Sequence, residues 1–232
     1  MFEDIKHRVY LANLELVNKG LVIYTWGNAS EISADRKFVV IKPSGVNYNE
    51  LKPEDMVVIN LETSEIVEGK LRPSSDTPTH LELYKSFQNI GGIVHTHSIN
   101  AVAFAQAGLD VPALGTTHAD YFSGDIPCTR ELNENEVLVD YEKNTGKVIV
   151  ETFLKRNLDP LAIPGVVVKN HGPFTWGKNS DEAVYNSVVL ETVAEMDIKT
   201  IILNRNSEMN KYILEKHYER KHGVNAYYGQ KK

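Results

Sequence analysis

The chain has 232 residues, 42% hydrophobic and 24% charged, a globular composition at a length that buries most of its unfolded surface without disulfide staples. Lys plus Arg total 25 against 31 Asp plus Glu, a net charge of −6, so the basic footprint of a general nucleic-acid binder is missing. No apolar run approaches the roughly 20 residues of a membrane span, the acidic start Met1-Phe2-Glu3-Asp4 is unlike a signal or transit peptide, and the lone Cys128 suits a reducing, cytoplasmic setting.

Phe2, Ile5, Val9, Leu14 and Val17 recur near helical spacing and predict an amphipathic helix over 2–18, stopped by Gly20. Leu21 to Thr25 is β-branched and aromatic and is expected to break at Gly27-Asn28. Phe38 to Ile41 predicts a short strand ending at Pro43-Ser44-Gly45. Met56 to Leu61 and Glu65 to Val67 predict a hairpin. A second helix is expected from Thr77-Pro78, where a missing N–H costs nothing. Gly92 to His97 predicts a strand, and Ser98 starts a short helix ending at Gly108. Residues 109–130 read as loop, and a weakly periodic helix follows over about 132–156. Val166 to Lys169 predicts a strand, then a Gly172-Pro173 turn. Asn179 with Glu182 resembles a capping box opening a helix through Ile198, and a last helix covers about 208–221. Hairpins without clean βαβ repeats imply an α/β chain with a mixed sheet and helices on both sides.

The strongest chemical signal is His95-Thr96-His97 on a predicted strand. Period two puts both imidazoles on one face, about 6.5–7 Å apart at Cα. Rings leaning together from there can share an ion at about 2.0–2.1 Å per bond. His171 follows the Val166 strand, and three histidines with an open position suit a catalytic zinc. Read alone, it is as well explained as a turn histidine bonded to backbone. Asp76, just before Pro78, is either a plain helix cap or a further oxygen ligand or base. Gly27-Asn28, Ser44-Gly45 and Ser74-Ser75 are small-residue turns able to hold an anion, with Lys42 as a source of positive charge; none is a P-loop. Asp120, in Thr117-His118-Ala119-Asp120-Tyr121, is a candidate acid/base or a turn former. The tail from Lys216 through His217 to His222 is basic, and Tyr227-Tyr228 suggests docking, including against another subunit.

Thr25-Trp26-Gly27-Asn28, Lys42-Pro43-Ser44-Gly45, Pro73-Ser74-Ser75-Asp76, Val94-His95-Thr96-His97, the Thr116–Tyr121 loop and Asn170-His171-Gly172-Pro173 occur in that order. Together they resemble the class II aldolase/epimerase superfamily, and within it the L-ribulose-5-phosphate 4-epimerases, over nearly the whole chain to Tyr227-Tyr228-Gly229-Gln230. The resemblance implies one domain over 1–232: three layers, with a mostly antiparallel central sheet flanked by helices. It implies a divalent metal, usually Zn2+, on Asp76, His95, His97 and His171. It implies substrate contacts from Gly27, Asn28, Lys42, Ser44, Gly45, Ser74 and Ser75, with Asp120 and Tyr228 as acid/bases and His217 nearby. It implies a cytoplasmic homotetramer with active sites at subunit interfaces, Tyr228 reaching into a neighbour's site. The expected reaction interconverts L-ribulose 5-phosphate and D-xylulose 5-phosphate, as in arabinose catabolism and related pentose routes. The alternative is a sugar-phosphate aldolase of the L-fuculose-1-phosphate type, in which a glutamate base stands at the position of Asp76. A non-catalytic module like the adducin head would lack the metal ligands found here.

Overall fold

The structure, a computed structural model, describes residues 2–224 and 226–228. Its sheet comprises β1 (Gly27–Ile32), β2 (Phe38–Ile41), β3 (Val57–Asn60), β4 (Ile66–Glu68), β5 (Gly92–Thr96), β6 (Gly165–Val167) and β7 (Pro173–Gly177). The order is β4-β3-β2-β1-β5-β7-β6, and every neighbouring pair is antiparallel. The mostly antiparallel expectation holds. The mixed sheet read from helix–strand alternation does not, because the long helical connections, β4 to β5 and β5 to β6, join strands that are not neighbours, while each adjacent pair runs antiparallel.

The helices are α1 (Glu3–Asn18), α2 (Thr77–Ser86), α3 (Ile99–Ala107), α4 (Thr116–Ala119), α5 (Glu134–Leu138), α6 (Tyr141–Arg156), α7 (Ser180–Leu203) and α8 (Lys211–His222). Successive strand residues point to opposite faces, and the core divides accordingly. Val39, Ile41, Val57, Ile59 and Ile93 join the cluster that includes Leu81, Tyr84, Phe153 and Trp176. Val40 and Val58 pack with Ile5 and Val9 of α1, while Ala29 and Val94 pack with Leu16 of α1 and Ala183 of α7. Glu31 is buried between the layers, accepting from Arg8 Nη2 (2.6 Å), Ser180 N (3.0 Å) and Ser180 Oγ (2.6 Å). It thereby ties α1 and the start of α7 to β1.

Several expected elements differ. Leu21 to Thr25 is not a strand; β1 instead starts at the expected break, with Gly27 opposite Thr96 and Asn28 opposite His95. A Cβ on Gly27 would lie 2.5 Å from Val22 Cγ1 and 3.0 Å from His95 O, so glycine serves close approach here rather than a turn. The Gly172-Pro173 turn leads into the unforeseen β7. Proline is tolerated at a strand's first residue, and Phe174 to Trp176 carry the pairing onward. The helix expected over 132–156 is two helices, broken at Val139 and at Asp140, whose φ is 54°. The 109–130 loop contains the short α4.

Candidate functional site

His95 sits near the end of β5, beside Asn28 on β1 and Phe174 on β7. His97 lies one residue beyond the strand. His171 lies in the turn between β6 and β7, closed by His171 N donating to Val168 O and Val168 N donating to Gly172 O, both 2.9 Å. A Cβ on Gly172 would lie 2.7 Å from Thr96 O, so only glycine lets this turn press against β5. The imidazoles meet: one ligand nitrogen from each of His95, His97 and His171 falls within 4.8 Å of the others. His95 Nδ1 donates to Pro173 O at 3.0 Å, leaving Nε2 for an ion, and Nε2 faces His97 Nε2 at 3.1 Å. Such an outer hydrogen bond is how ligating histidines are oriented. Phe174 stacks on His95 with centroids 4.2 Å apart and meets His171 edge-on. Burial, then the neighbouring His95, pushes His97 and His171 below the ordinary imidazole value. Neutral imidazole is the form that ligates. The donor set and its convergence fit a divalent cation.

Asp76 stands at the N-cap of α2 but caps nothing with its side chain. Its Oδ2 accepts from Asn28 Nδ2 at 2.7 Å. Burial alone would raise this carboxyl; the imidazoles of His95, His80 and His171 and the Asn28 amide hold it below the ordinary carboxylate value. It lines the same cavity as the three histidines yet falls outside their 4.8 Å cluster.

Gly27-Asn28, which opens β1 rather than forming the expected turn, and the Ser44-Gly45 and Ser74-Ser75 segments converge on that cavity, which has a volume of about 390 Å³. Ser44 N donates to Arg72 O (2.9 Å) and Ser74 N to Lys42 O (3.0 Å), so the Lys42–Gly45 and Pro73–Ser75 segments run side by side. Asn28 Nδ2 also donates to Ser74 Oγ at 3.0 Å, while its buried Oδ1 has no partner among the described residues. Lys42 is buried, donates to Val46 O (2.8 Å) and lies over the Tyr48 ring, without an ion pair among the described residues. Burial pushes its ammonium down to about 8. A buried, still mostly protonated ammonium with no ion pair among the described residues, beside the Ser44, Ser74 and Ser75 hydroxyls, suits an incoming phosphate.

Asp120, His217 and Tyr228 meet elsewhere and do not line this cavity. Asp120 accepts from Arg220 Nη2 at 2.9 and 2.8 Å and from His217 Nδ1 at 3.0 Å, with Lys221 Nζ at 3.5 Å. Burial would raise its carboxyl, but the Arg220 and His217 hydrogen bonds hold it below the ordinary value. The Tyr228 ring lies 4.6 Å from both the Arg220 guanidinium and Lys221 Nζ. Gly229 and Gln230 lie outside the described residues. His118 is structural, its Nε2 at 2.8 Å from Gly124 O.

The sequence reading missed Tyr141 and Glu142, which line the cavity, Tyr141 with its hydroxyl 3.5 Å from His171 Nδ1. A helix running unbroken through 132–156 would make them mid-helix surface residues; the break at Asp140 turns them to the site. The left-handed backbone of Asp140 leaves little trace in the sequence, aspartate being tolerant of it.

The class II aldolase and adducin N-terminal domain family matches residues 7–198. The chain belongs to this family. Solved class II aldolase structures share its fold: an L-fuculose 1-phosphate aldolase superposes with a TM-score of 0.79 at 23% identity over 94% of this chain and 95% of its own. YgbL from Klebsiella pneumoniae, described as a candidate aldolase/epimerase/decarboxylase, gives 0.73 at 21% identity over 93% and 99%. An L-fuculose-1-phosphate aldolase from Thermus thermophilus gives 0.68 at 21% identity over 88% and 99%. These levels of identity speak for the class II aldolase fold. Among the described residues no helix is long and apolar enough to cross a membrane.

Proposed function

We propose that the chain, as one catalytic domain over 1–232, is a divalent-metal-dependent sugar-phosphate epimerase that interconverts L-ribulose 5-phosphate and D-xylulose 5-phosphate. The observation that carries this reading is the convergence of His95, His97 and His171 on the cavity whose other walls are Lys42, Ser44, Ser74 and Asp76. Imidazoles poised for a cation, next to hydroxyls and a cation poised for an anion, match a substrate with an oxygen-rich carbon chain and a phosphate.

The hydrogen on C4 is not acidic, so direct deprotonation there is unfavourable. Breaking C3–C4 by retro-aldol cleavage and rejoining the opposite face of the aldehyde avoids it. A Zn2+ on the three histidines and Asp76 would supply Lewis-acid stabilisation of the negative charge that cleavage leaves on the C2 and C3 oxygens. Gly27, Asn28, Ser44, Gly45, Ser74, Ser75 and Lys42 anchor the phosphate while the glycolaldehyde phosphate fragment turns. The unpartnered Asn28 Oδ1 is free to accept a substrate hydroxyl.

Inversion needs proton transfer on two opposite faces, and Asp120 and Tyr228, with His217 beside Asp120, are assigned these roles. Their cluster lies off the cavity of their own chain, which supports active sites shared between subunits, here assigned to a cytoplasmic homotetramer. Asp76 favours epimerisation over the aldolase alternative, because a short carboxylate retained for the metal leaves no extra base at that position.

A coupled assay decides. Zn2+-loaded protein given L-ribulose 5-phosphate is expected to yield D-xylulose 5-phosphate, and Asp120→Asn very little. Released glycolaldehyde phosphate without xylulose phosphate would move the chain to the aldolases, and no turnover by the loaded enzyme would overturn the substrate class.

A further inference from the structure

His80 is fully buried on α2, one helical turn after Asp76 and so on the same helix face. Its Nδ1 is 2.7 Å from Ser30 Oγ, which is 2.9 Å from Tyr84 OH. Its Nε2 is buried and has no hydrogen-bond partner among the described residues. A buried polar atom left unpaired is costly and rare. The surroundings tie this one to the metal centre. Phe174, which stacks on His95, also meets the His80 ring edge-on at 6.0 Å.

The two short contacts allow two proton arrangements. In one, His80 Nδ1–H donates to Ser30, Ser30 to Tyr84, and Tyr84 to Gly91 O, a contact of 3.4 Å. In the other, Tyr84 donates to Ser30 and Ser30 to His80 Nδ1, so the proton of His80 sits on Nε2. The second needs no long bond and presents a donor in the field of an anionic carboxylate. The first leaves a bare lone pair there. Electrostatics selects the second.

The position of Asp76 gives this donor a use. Two donors on one ion at about 2.1 Å lie within about 4.2 Å of each other. Asp76 falls outside the histidines' 4.8 Å cluster, so it must close in on the imidazoles to join them. We propose that His80 is a positioning residue for Asp76: the Tyr84–Ser30–His80 relay fixes the Nε2–H tautomer, and that N–H receives the Asp76 carboxylate in its metal-binding position. This rests on the metal-centre reading above. Asn28 and His80 then act as the outer partners of one ligand, as Pro173 O does for His95.

Zn2+ titration of the metal-free chain by calorimetry, with thermal melts beside it, tests the proposal. His80→Leu is expected to weaken Zn2+ binding about 10–100-fold. His80→Gln, whose amide N–H stands where Nε2–H stood, is expected to recover most of that loss. A purely packing role would change the melts of both variants and leave Zn2+ affinity alone; that result overturns the proposal. Should His80→Leu not fold, long-range 1H–15N spectra of the unsubstituted chain decide. An Nε2–H tautomer that relaxes to a mixture in Ser30→Ala supports the relay, and an Nδ1–H tautomer overturns it. Failure of the unsubstituted chain to bind Zn2+ would instead remove the metal-centre reading itself.

Discussion

Asp76 and Asp120 are both partly buried carboxylates at proposed catalytic positions, and they are held by opposite means. Asp76 is placed by backbone: Asn28, which binds it, is in register with His95 through the β1–β5 ladder. Asp120 is placed by charge: Arg220, His217 and Lys221 of α8 surround it, and no strand supports them. The first arrangement persists as long as the sheet does. The second holds only while its charges do, and it can shift with its helix without disturbing the sheet. In the proposed epimerisation, in which one fragment turns before bond formation, metal-site residues anchored to the sheet would stand beside adjustable proton-transfer groups.

Removing a rigid element should have the largest effect. His97→Ala is expected to lower turnover about 10³-fold or more, several kcal/mol of charge stabilisation, with Zn2+ content by plasma emission falling in parallel and α8 protection from proteolysis unchanged. Loss of α8 protection would show that the two regions are not separate. Asp120→Asn is expected to cost about 10²-fold in turnover at undiminished Zn2+ content; loss of metal would merge the regions from the other side.

Acid and salt probe the charge-held region alone. The folded-state pKa of Asp120 is depressed, so its contribution to stability is present above the unfolded value of about 3.9 and is lost as pH falls through the folded value. Hydrogen exchange in α8 should therefore rise below about pH 4, and on adding about 1 M salt at neutral pH, before exchange in β5 does. Simultaneous release would contradict the comparison.

The smallest effect is expected at a carboxylate that has neither support. Asp197 on α7 is buried, its Oδ2 lacks a partner among the described residues, and burial followed by Asp125 pushes it up to about 7. Being raised, it adds stability at low pH that is lost as pH climbs through about 7. Asp197→Asn should then melt a few degrees higher than the parent at pH 8 and about equally at pH 4; an equal Tm at both would show that the charge is compensated.

Much of this architecture could be read in the residues because its signals are local. Phe38–Ile41 and α2 from Thr77 match their expected bounds, and the hairpin expected over Met56–Leu61 and Glu65–Val67 forms within one residue of them as Val57–Asn60 and Ile66–Glu68, since periodicity and turn residues act within a few positions. Gly27 misled because its reason is a neighbour, Val22, and a partner strand that no local pattern announces. β7 was hidden by Pro173, a strand breaker everywhere except where it stands. The histidine cluster was legible from the His-x-His spacing plus a third strand-end histidine. The attachment of Asp120 to Arg220 was not, because about a hundred residues separate them and charged pairs on helices have no sequence period across such a gap.

The turn between β6 and β7 carries His171, and the carbonyl of Pro173 at its far end is what orients His95. Two of the three imidazoles therefore depend on a single short stretch of backbone. Opening it by local fluctuation would take away one of the proposed metal ligands and unfasten a second in the same event. Dissociation of the ion should then follow one opening step rather than a succession of ligand exchanges, and its rate should track the hydrogen exchange of the Val168 and His171 amides.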